Sequence, residues 1–178
     1  KEIMECTGLT RSRIMRLTGT LLHGGYLIRD DDRDTFLVGP KIRALNKIFE
    51  QGRSVFLLAR PIVRELALMT GESTAMSVRE GLERVVLVRE DGTQALRYSV
   101  TEGERMELHT GASGKVLLAY SPKEVLNAVL SGPSLVKYTP HTITDPNLLH
   151  REIKKVRQQG YAKSVEERRG GGVAVAAP

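Results

Sequence analysis

The sequence predicts an α+β fold in two parts, and three observations carry that prediction. A short basic helix followed by two short strands opens the chain. A long apolar helical stripe comes next, and after Thr70-Gly71 the hydrophobic period changes from that of a helix to that of a strand. The composition over 178 residues, 40% hydrophobic and 27% charged, is that of a globular protein with room for one large domain or two small ones.

The opening stretch Glu5–Tyr26, ECTGLTRSRIMRLTGTLLHGGY, has the pattern of a helix-turn-helix. Lys1–Cys6 reads as the end of one helix and Gly8 as the turn. Thr10 is a suitable N-cap for the second helix, which should stop at Gly24-Gly25 with a left-handed glycine. Leu9, Ile14, Leu17 and Leu21 are expected to point inward. Arg11, Arg13 and Arg16 point away from them, with no acidic residue between Leu9 and His23. A helix of that charge suits the major groove of DNA. Thr10, Arg11, Ser12, Arg13, Arg16 and Thr20 are therefore the candidate DNA-contacting residues.

Tyr26–Arg29 and Thr35–Val38 read as strands around the polar turn Asp30–Asp34. A hairpin directly after a recognition helix is a wing, so residues 1–40 are expected to form a winged helix-turn-helix domain. The acidic wing tip should avoid close phosphate contact, although Arg29 and Arg33 lie beside it.

Lys41 to about Met69 is helical in pattern, with Ile42, Leu45, Ile48 and Phe49 on one stripe. Gly52 should interrupt it, and Pro61 should kink the second half or start a new helix. The boundary is expected near Gln51–Ser54, making 41–53 a linker helix and 54–178 a second domain. The stripe is either intrachain core or a contact between two copies of the chain.

In the second domain Ser73–Arg79, Arg84–Glu90 and Ala95–Thr101 read as strands, with turns at Gly81 and Asp91-Gly92. A buried apolar helix should follow over about Ser113–Tyr120. Ser121-Pro122-Lys123-Glu124 looks like a capping-box start to the next helix, with Val125, Leu126 and Val129 inward. Thr144-Asp145-Pro146 starts a third, whose stripe is Leu149, Ile153 and Val156. Tyr161–Glu166 and Val173–Ala177 return to strand, joined through the glycine loop Gly170–Gly172.

Net charge of +6 and a pI near 9.6 make an anionic partner plausible. Residues 151–169 alone carry seven Lys/Arg against three Glu, which fits a solvated helix face as well. Cys6 is the only cysteine, so no intrachain disulfide or CxxC site exists. No apolar run approaches membrane-spanning length and nothing resembles a signal peptide, so the expected location is cytoplasmic with no membrane partner.

His109-Thr-Gly-Ala-Ser-Gly-Lys115 superficially suggests a phosphate-binding loop, but His109 holds the leading glycine position and Val116 the magnesium-binding one. What remains is a glycine turn opening an apolar helix. Its free N–H groups suit a carboxylate, and close helix packing is the alternative reading. His23, His109, His141 and His150 show no metal-ligand spacing, and His109 reads as a structural hydrogen-bonding residue. Glu166-Glu167 reads as surface-exposed or paired with Arg168/Arg169. Nothing requires an enzyme, a metal or a cofactor.

Taken together, TGLTRSRIMRLTGTLLHGGYLIRD, FLVGPKIRAL, ARPIVRELALMTGES, LHTGASGKVLLAY, YTPHTITDP and VRQQGYAKSVEE…GGGVAVAAP resemble bacterial IclR-type transcriptional regulators over nearly the whole chain. The resemblance implies a winged helix-turn-helix, a linker helix and a GAF-like effector-binding domain. It also implies a homodimer or tetramer that binds palindromic operator DNA, as repressor or activator, under control of a small organic acid or aromatic metabolite. By position, the effector would meet Gly111, Ala112, Ser113 and Gly114 at the helix N-terminus, a wall at Leu96 and Tyr98, and Ser164 and Ala174 on the facing strands.

Ser164 stands where relatives commonly carry an acidic residue, and Ala174 replaces a polar or thiol side chain, so the expected site is less polar than usual. The family normally has a helix before Lys1 and strands after Pro178, so segments are expected beyond both ends. A GAF-like enzyme, or a sensor with a degenerate DNA-binding module, is the alternative. The enzyme would need a thiol or metal set in the second domain, whereas Cys6 lies in the first.

Overall fold

The computed structural model describes residues 2–52, 54–94, 100–132 and 135–178. The chain forms two compact units, Lys1–Leu57 and Leu58–Pro178.

In the first unit, α1 (Glu2–Thr7) and α2 (Arg11–His23) are joined by a turn at Gly8, whose φ of 65° suits glycine. Thr10 holds the N-cap position with extended backbone, but its side chain makes no capping bond. The left-handed glycine is Gly25 (φ 73°) rather than Gly24, which stays right-handed at φ −75°. Leu17 and Leu21 do not point inward as expected; Leu17 is 50% exposed. α1, of six residues, and β1 of the hairpin pack on α2, whose buried positions are Ile14 and Thr18. Thr18 satisfies its hydroxyl by donating to Ile14 O at 2.9 Å.

The hairpin is β1 (Leu27–Asp30) against β2 (Thr35–Val38), antiparallel with Leu27 opposite Val38. Main-chain bonds tie it to the residues that end α2: Gly39 N donates to Tyr26 O at 2.8 Å and Lys41 N to Gly25 O at 3.2 Å. A Cβ on Gly39 would lie 2.3 Å from Gly25 O, so only glycine allows this approach. The next helix, α3 (Lys41–Gly52), leaves Ile42, Leu45, Ile48 and Phe49 exposed.

α3 ends at Gly52, and residue 53, beside which the expected interruption falls, lies outside the described residues. α4 (Ser54–Thr70) holds Pro61 in its interior, so Pro61 does not start a new helix. Within the second unit α4 buries Val63 and Ala67. β3 (Thr74–Glu80) and β4 (Glu83–Glu90) form an antiparallel pair with an irregularity at Met76/Ser77. The third strand of that sheet is β5 (Arg105–Glu107), which the sequence reading missed. The strand expected at Ala95–Thr101 falls largely on 95–99, outside the described residues.

α5 (Ala112–Ala119) is the centre of the core. With Leu108 it packs Ala112, Val116, Leu118 and Ala119 against Leu149, Ile153 and Val156 of α7 (Pro146–Gln159) and Ala162 of β6 (Ala162–Val165). Burial of each Val or Leu there contributes about 1.5–3 kcal/mol. α6 (Lys123–Leu130) covers one side with Val125, Leu126 and Val129. Its expected capping box does not form: Pro122 holds the cap position, and Ser121 Oγ turns back to Leu117 O at 2.7 Å. α7 starts as expected, Asp145 accepting from Asn147 N (2.7 Å) and Leu148 N (3.2 Å). Such a cap contributes about 1 kcal/mol. β6 pairs antiparallel with β7 (Val173–Ala176), Ser164 facing Ala174 in the register.

Candidate functional site

An apolar helix that contains one lysine must either expose it or bury it with a partner. α5 buries it: Lys115 is 1% exposed. Its ammonium donates to Glu167 Oε1 at 2.6 Å, Lys163 O at 2.5 Å and Glu152 Oε1 at 3.3 Å. Each ammonium proton thus has an acceptor, which is what makes a buried cation tolerable. The other oxygen of Glu167 accepts the Gly111 N–H at 3.0 Å. Glu167 is therefore not surface-exposed, one of the two expected placements; it is buried across the N-terminus of α5 with Lys115 as an ion-pair partner.

The two glycines at the start of α5 have distinct jobs. Gly111 takes φ 80°, and Gly114 packs so close to the chain that a Cβ would lie 2.7 Å from Leu108 O. Ala112 is buried in the core, and the Ser113 hydroxyl accepts from the Arg84 guanidinium, which also approaches Met106 Sδ at 3.1 Å. His109 Nε2 is bonded to Val136 O at 2.9 Å, the structural role its sequence context indicated.

The turn between β6 and β7 is held from outside by Thr139 and Thr142, whose hydroxyls donate to Glu166 O and Glu167 O, each at 2.6 Å. Glu166 sits at φ 54°, unusual for a residue with a side chain. Its N–H bonds Gly172 O at 2.6 Å, and its carboxylate accepts from Gly171 N at 2.9 Å. These bonds offset a strain of order 1–3 kcal/mol.

Arg168 lies over the Tyr138 ring at 4.6 Å and donates to Glu107 Oε2 at 3.0 Å, while the Tyr138 hydroxyl donates to Glu107 Oε1. Burial alone would push the Glu107 carboxyl up. The Tyr138 hydroxyl, a hydrogen bond from the backbone of Glu107 itself and the Arg168 guanidinium together outweigh it and hold the carboxyl below its ordinary value. Burial and the Glu107 charge together push the Tyr138 phenol up.

These elements enclose a cleft of about 40 Å³ lined by Gly111, Ser164, Glu167, Arg168, Arg169, Gly172, Val173 and Ala174. Of the residues expected at an effector site, Gly111, Ser164 and Ala174 come together here. Ala112, Ser113 and Gly114 do not line the cleft but serve packing and the Arg84 contact, and Leu96 and Tyr98 lie outside the described residues. The sequence reading missed Glu167, Arg168 and Arg169 as cleft residues. A lone lysine in an apolar helix was the available signal that a carboxylate must be buried nearby.

In the first unit, Arg11, Ser12, Arg13, Arg16 and Thr20 are all exposed on α2, and Thr10 is exposed just before it. The Thr20 hydroxyl donates back to Arg16 O at 3.1 Å. At about 100° per residue, Arg16 lies about 180° and Arg13 about 120° around the helix from the Ile14–Thr18 line, while Arg11 is only about 40° from it. Arg29 of the hairpin is engaged by Asp31 (3.1 Å) and Asp34 (2.9 Å). Among the described residues no group of three or more His, Cys, Asp or Glu could hold a metal ion, and no helix is long and apolar enough to cross a membrane.

A family model for the C-terminal part of the bacterial transcriptional regulator IclR matches residues 50–178. The chain belongs to the IclR family of bacterial transcriptional regulators. It is similar to the HTH-type transcriptional regulator KipR of Bacillus subtilis, with 27% identity over 177 residues, spanning 99% of the chain and 70% of that protein. Its fold is similar to the crystal structure of an IclR transcriptional regulator from Alicyclobacillus acidocaldarius, with a TM-score of 0.91 and 26% identity over 99% of the chain and 71% of that structure. A further similar structure is an IclR homolog from Microbacterium hydrocarbonoxydans in complex with 4-hydroxybenzoate. It has a TM-score of 0.83 and 25% identity, over 99% of the chain and 72% of that structure.

Proposed function

We propose that the protein is a ligand-controlled transcription factor: a winged helix-turn-helix reads operator DNA, and a small organic metabolite bound in the C-terminal unit sets its affinity. The observation that carries the DNA half is the exposed set Ser12, Arg13, Arg16 and Thr20 on α2, followed directly by a hairpin. Arginines there can pair with guanine edges or with phosphates, and the acidic hairpin tip stands away from the backbone.

The ligand half is supported by the cleft at Gly111, Ser164 and Ala174 and by a family relative that holds 4-hydroxybenzoate. The cleft has room for a few water molecules, so an organic acid enters as the β6–β7 turn yields. The exposed apolar stripe Ile42, Leu45, Ile48 and Phe49 fits pairing with a second copy, which would present two α2 helices to a palindrome. Acting on the chromosome of a bacterium places the protein in the cytoplasm.

Operator affinity and effector affinity are then linked, each changing the other by the same factor, whether the output is repression or activation. The deciding experiment has two arms. Binding to random and genomic duplex DNA is measured across a salt series, where a steep loss with salt is expected. A thermal-shift screen of organic acids and aromatic metabolites supplies the effector, which at one hundred times its Kd stabilises by about 2.7 kcal/mol. A salt-independent or absent DNA interaction overturns the reading.

A further inference from the structure

We propose that the Gly111 N–H and the Lys115 ammonium form a carboxylate-binding cradle whose resident ligand is the protein's own Glu167, and that a carboxylate entering the cleft takes Glu167's place. The inference rests on the cleft being the effector site, and adds how the ligand engages it.

Three features support the exchange. The cradle holds a carboxylate already: one Glu167 oxygen is on Gly111 N at 3.0 Å and the other on Lys115 Nζ at 2.6 Å. Both donors are buried, and Lys115 keeps Lys163 O and Glu152 as acceptors whichever carboxylate occupies the cradle. Gly111 and Glu167 also line the same cleft, so an incoming ligand meets the occupied cradle directly. Charge is conserved when one carboxylate replaces another, so the buried ammonium is never left uncompensated. Displacement moves the Glu167 side chain, while Thr142 and Thr139 hold the carbonyls of Glu167 and Glu166 on the β6–β7 turn.

Glu167→Ala removes a fragment the size of acetate, which allows a test that needs no knowledge of the natural effector. In chloride buffer the variant should lose about 10 °C in Tm, as expected for a broken buried pair in a chain of this length. Sodium acetate or formate should restore at least half of that loss, saturably, against sodium chloride of equal ionic strength, with no such gain in the unaltered protein. If the variant folds only in acetate, loss of its near-ultraviolet circular dichroism on dialysis and its return on re-addition give the same answer. Recovery no greater than in chloride, or no folding in either salt, overturns the proposal.

Glu167→Gln keeps the shape of the side chain but weakens the resident ligand. Benzoate should then bind at least threefold more tightly than to the unaltered protein. Equal, weaker or absent benzoate binding counts against displacement. Acetate rescue without salt-dependent DNA binding would refute the regulator reading alone, and DNA binding without rescue would refute the cradle alone.

Discussion

Lys115 and Glu167 meet at 2.6 Å inside the C-terminal unit although 52 positions separate them. The contact joins the central helix α5 to the β6–β7 turn, and through Gly111 it also closes the helix N-terminus. Removing one partner leaves a charge buried among apolar side chains. Lys115→Met should therefore cost about 3–5 kcal/mol in urea unfolding. Lys115→Met combined with Glu167→Leu should be less destabilised than Lys115→Met alone, because no unpaired carboxylate then remains at position 167. A single-variant loss below about 1 kcal/mol would mean that the pair does not anchor the unit.

How much of this was legible in the sequence depends on whether the signal was local. The start and buried stripe of α7 were readable, since Asp145-Pro146 and the spacing of Leu149, Ile153 and Val156 are properties of a few neighbouring residues. The hairpin Leu27–Val38 was readable for the same reason. β5 has three residues, too short to show alternation, and it exists because β4 offers it an edge. The inward face of α2 was misread at Leu17 and Leu21 because hydrophobicity states what could be buried, while Thr18 took the buried place by bonding its own helix. At the cleft, the glycine turn at Gly111 was legible and Glu167 was not, because no local pattern tells which of two adjacent glutamates turns inward.

The Glu107 carboxyl predicts a pH dependence with a definite sign. Tyr138 and Arg168 hold it below its ordinary value in the folded protein. The stabilisation is complete above the unfolded glutamate value, about 4.3, and fades as pH falls through the lower folded value. Between about pH 6 and about pH 3 the protein should lose more stability than a Glu107→Gln variant does. Tyr138 works in the other direction: its raised pKa favours folding below the unfolded phenol value, and that contribution is lost as pH rises through the folded one. Urea midpoints across acid and alkaline series check both. Parallel acid-side curves for Glu107→Gln and the unaltered protein would refute the assignment.

On α2 the geometry separates arginines that composition treats alike. Arg13 and Arg16 project away from the Ile14–Thr18 line, whereas Arg11 lies beside it. Arg13→Ala and Arg16→Ala should each weaken DNA binding and lower the salt slope by about 1 if the contact is to phosphate. A loss confined to certain sequences, of about 1–3 kcal/mol, would mark a base contact instead. Arg11→Ala should have the smaller effect. Affinities measured over a salt series decide the order, and equal losses for all three would show that the helix docks by a different face.

The cleft predicts which small-to-large change blocks a ligand without unfolding the chain. Ala112, an obvious choice from sequence, is 2% exposed in the core, so enlarging it would overpack α5. Ala174 is exposed, lies opposite Ser164 in the register, and lines the cleft. A phenyl ring at position 174 would fill a volume of about 40 Å³ while leaving the Lys115–Glu167 pair untouched. Ala174→Phe should thus keep its Tm within a few degrees and retain DNA binding, yet lose at least tenfold in affinity for whichever acid the thermal-shift screen identifies. Calorimetric titration of that acid checks the first loss, and gel shifts with increasing acid check the second. An unchanged response would place the ligand elsewhere in the unit and detach Ser164 and Ala174 from its recognition.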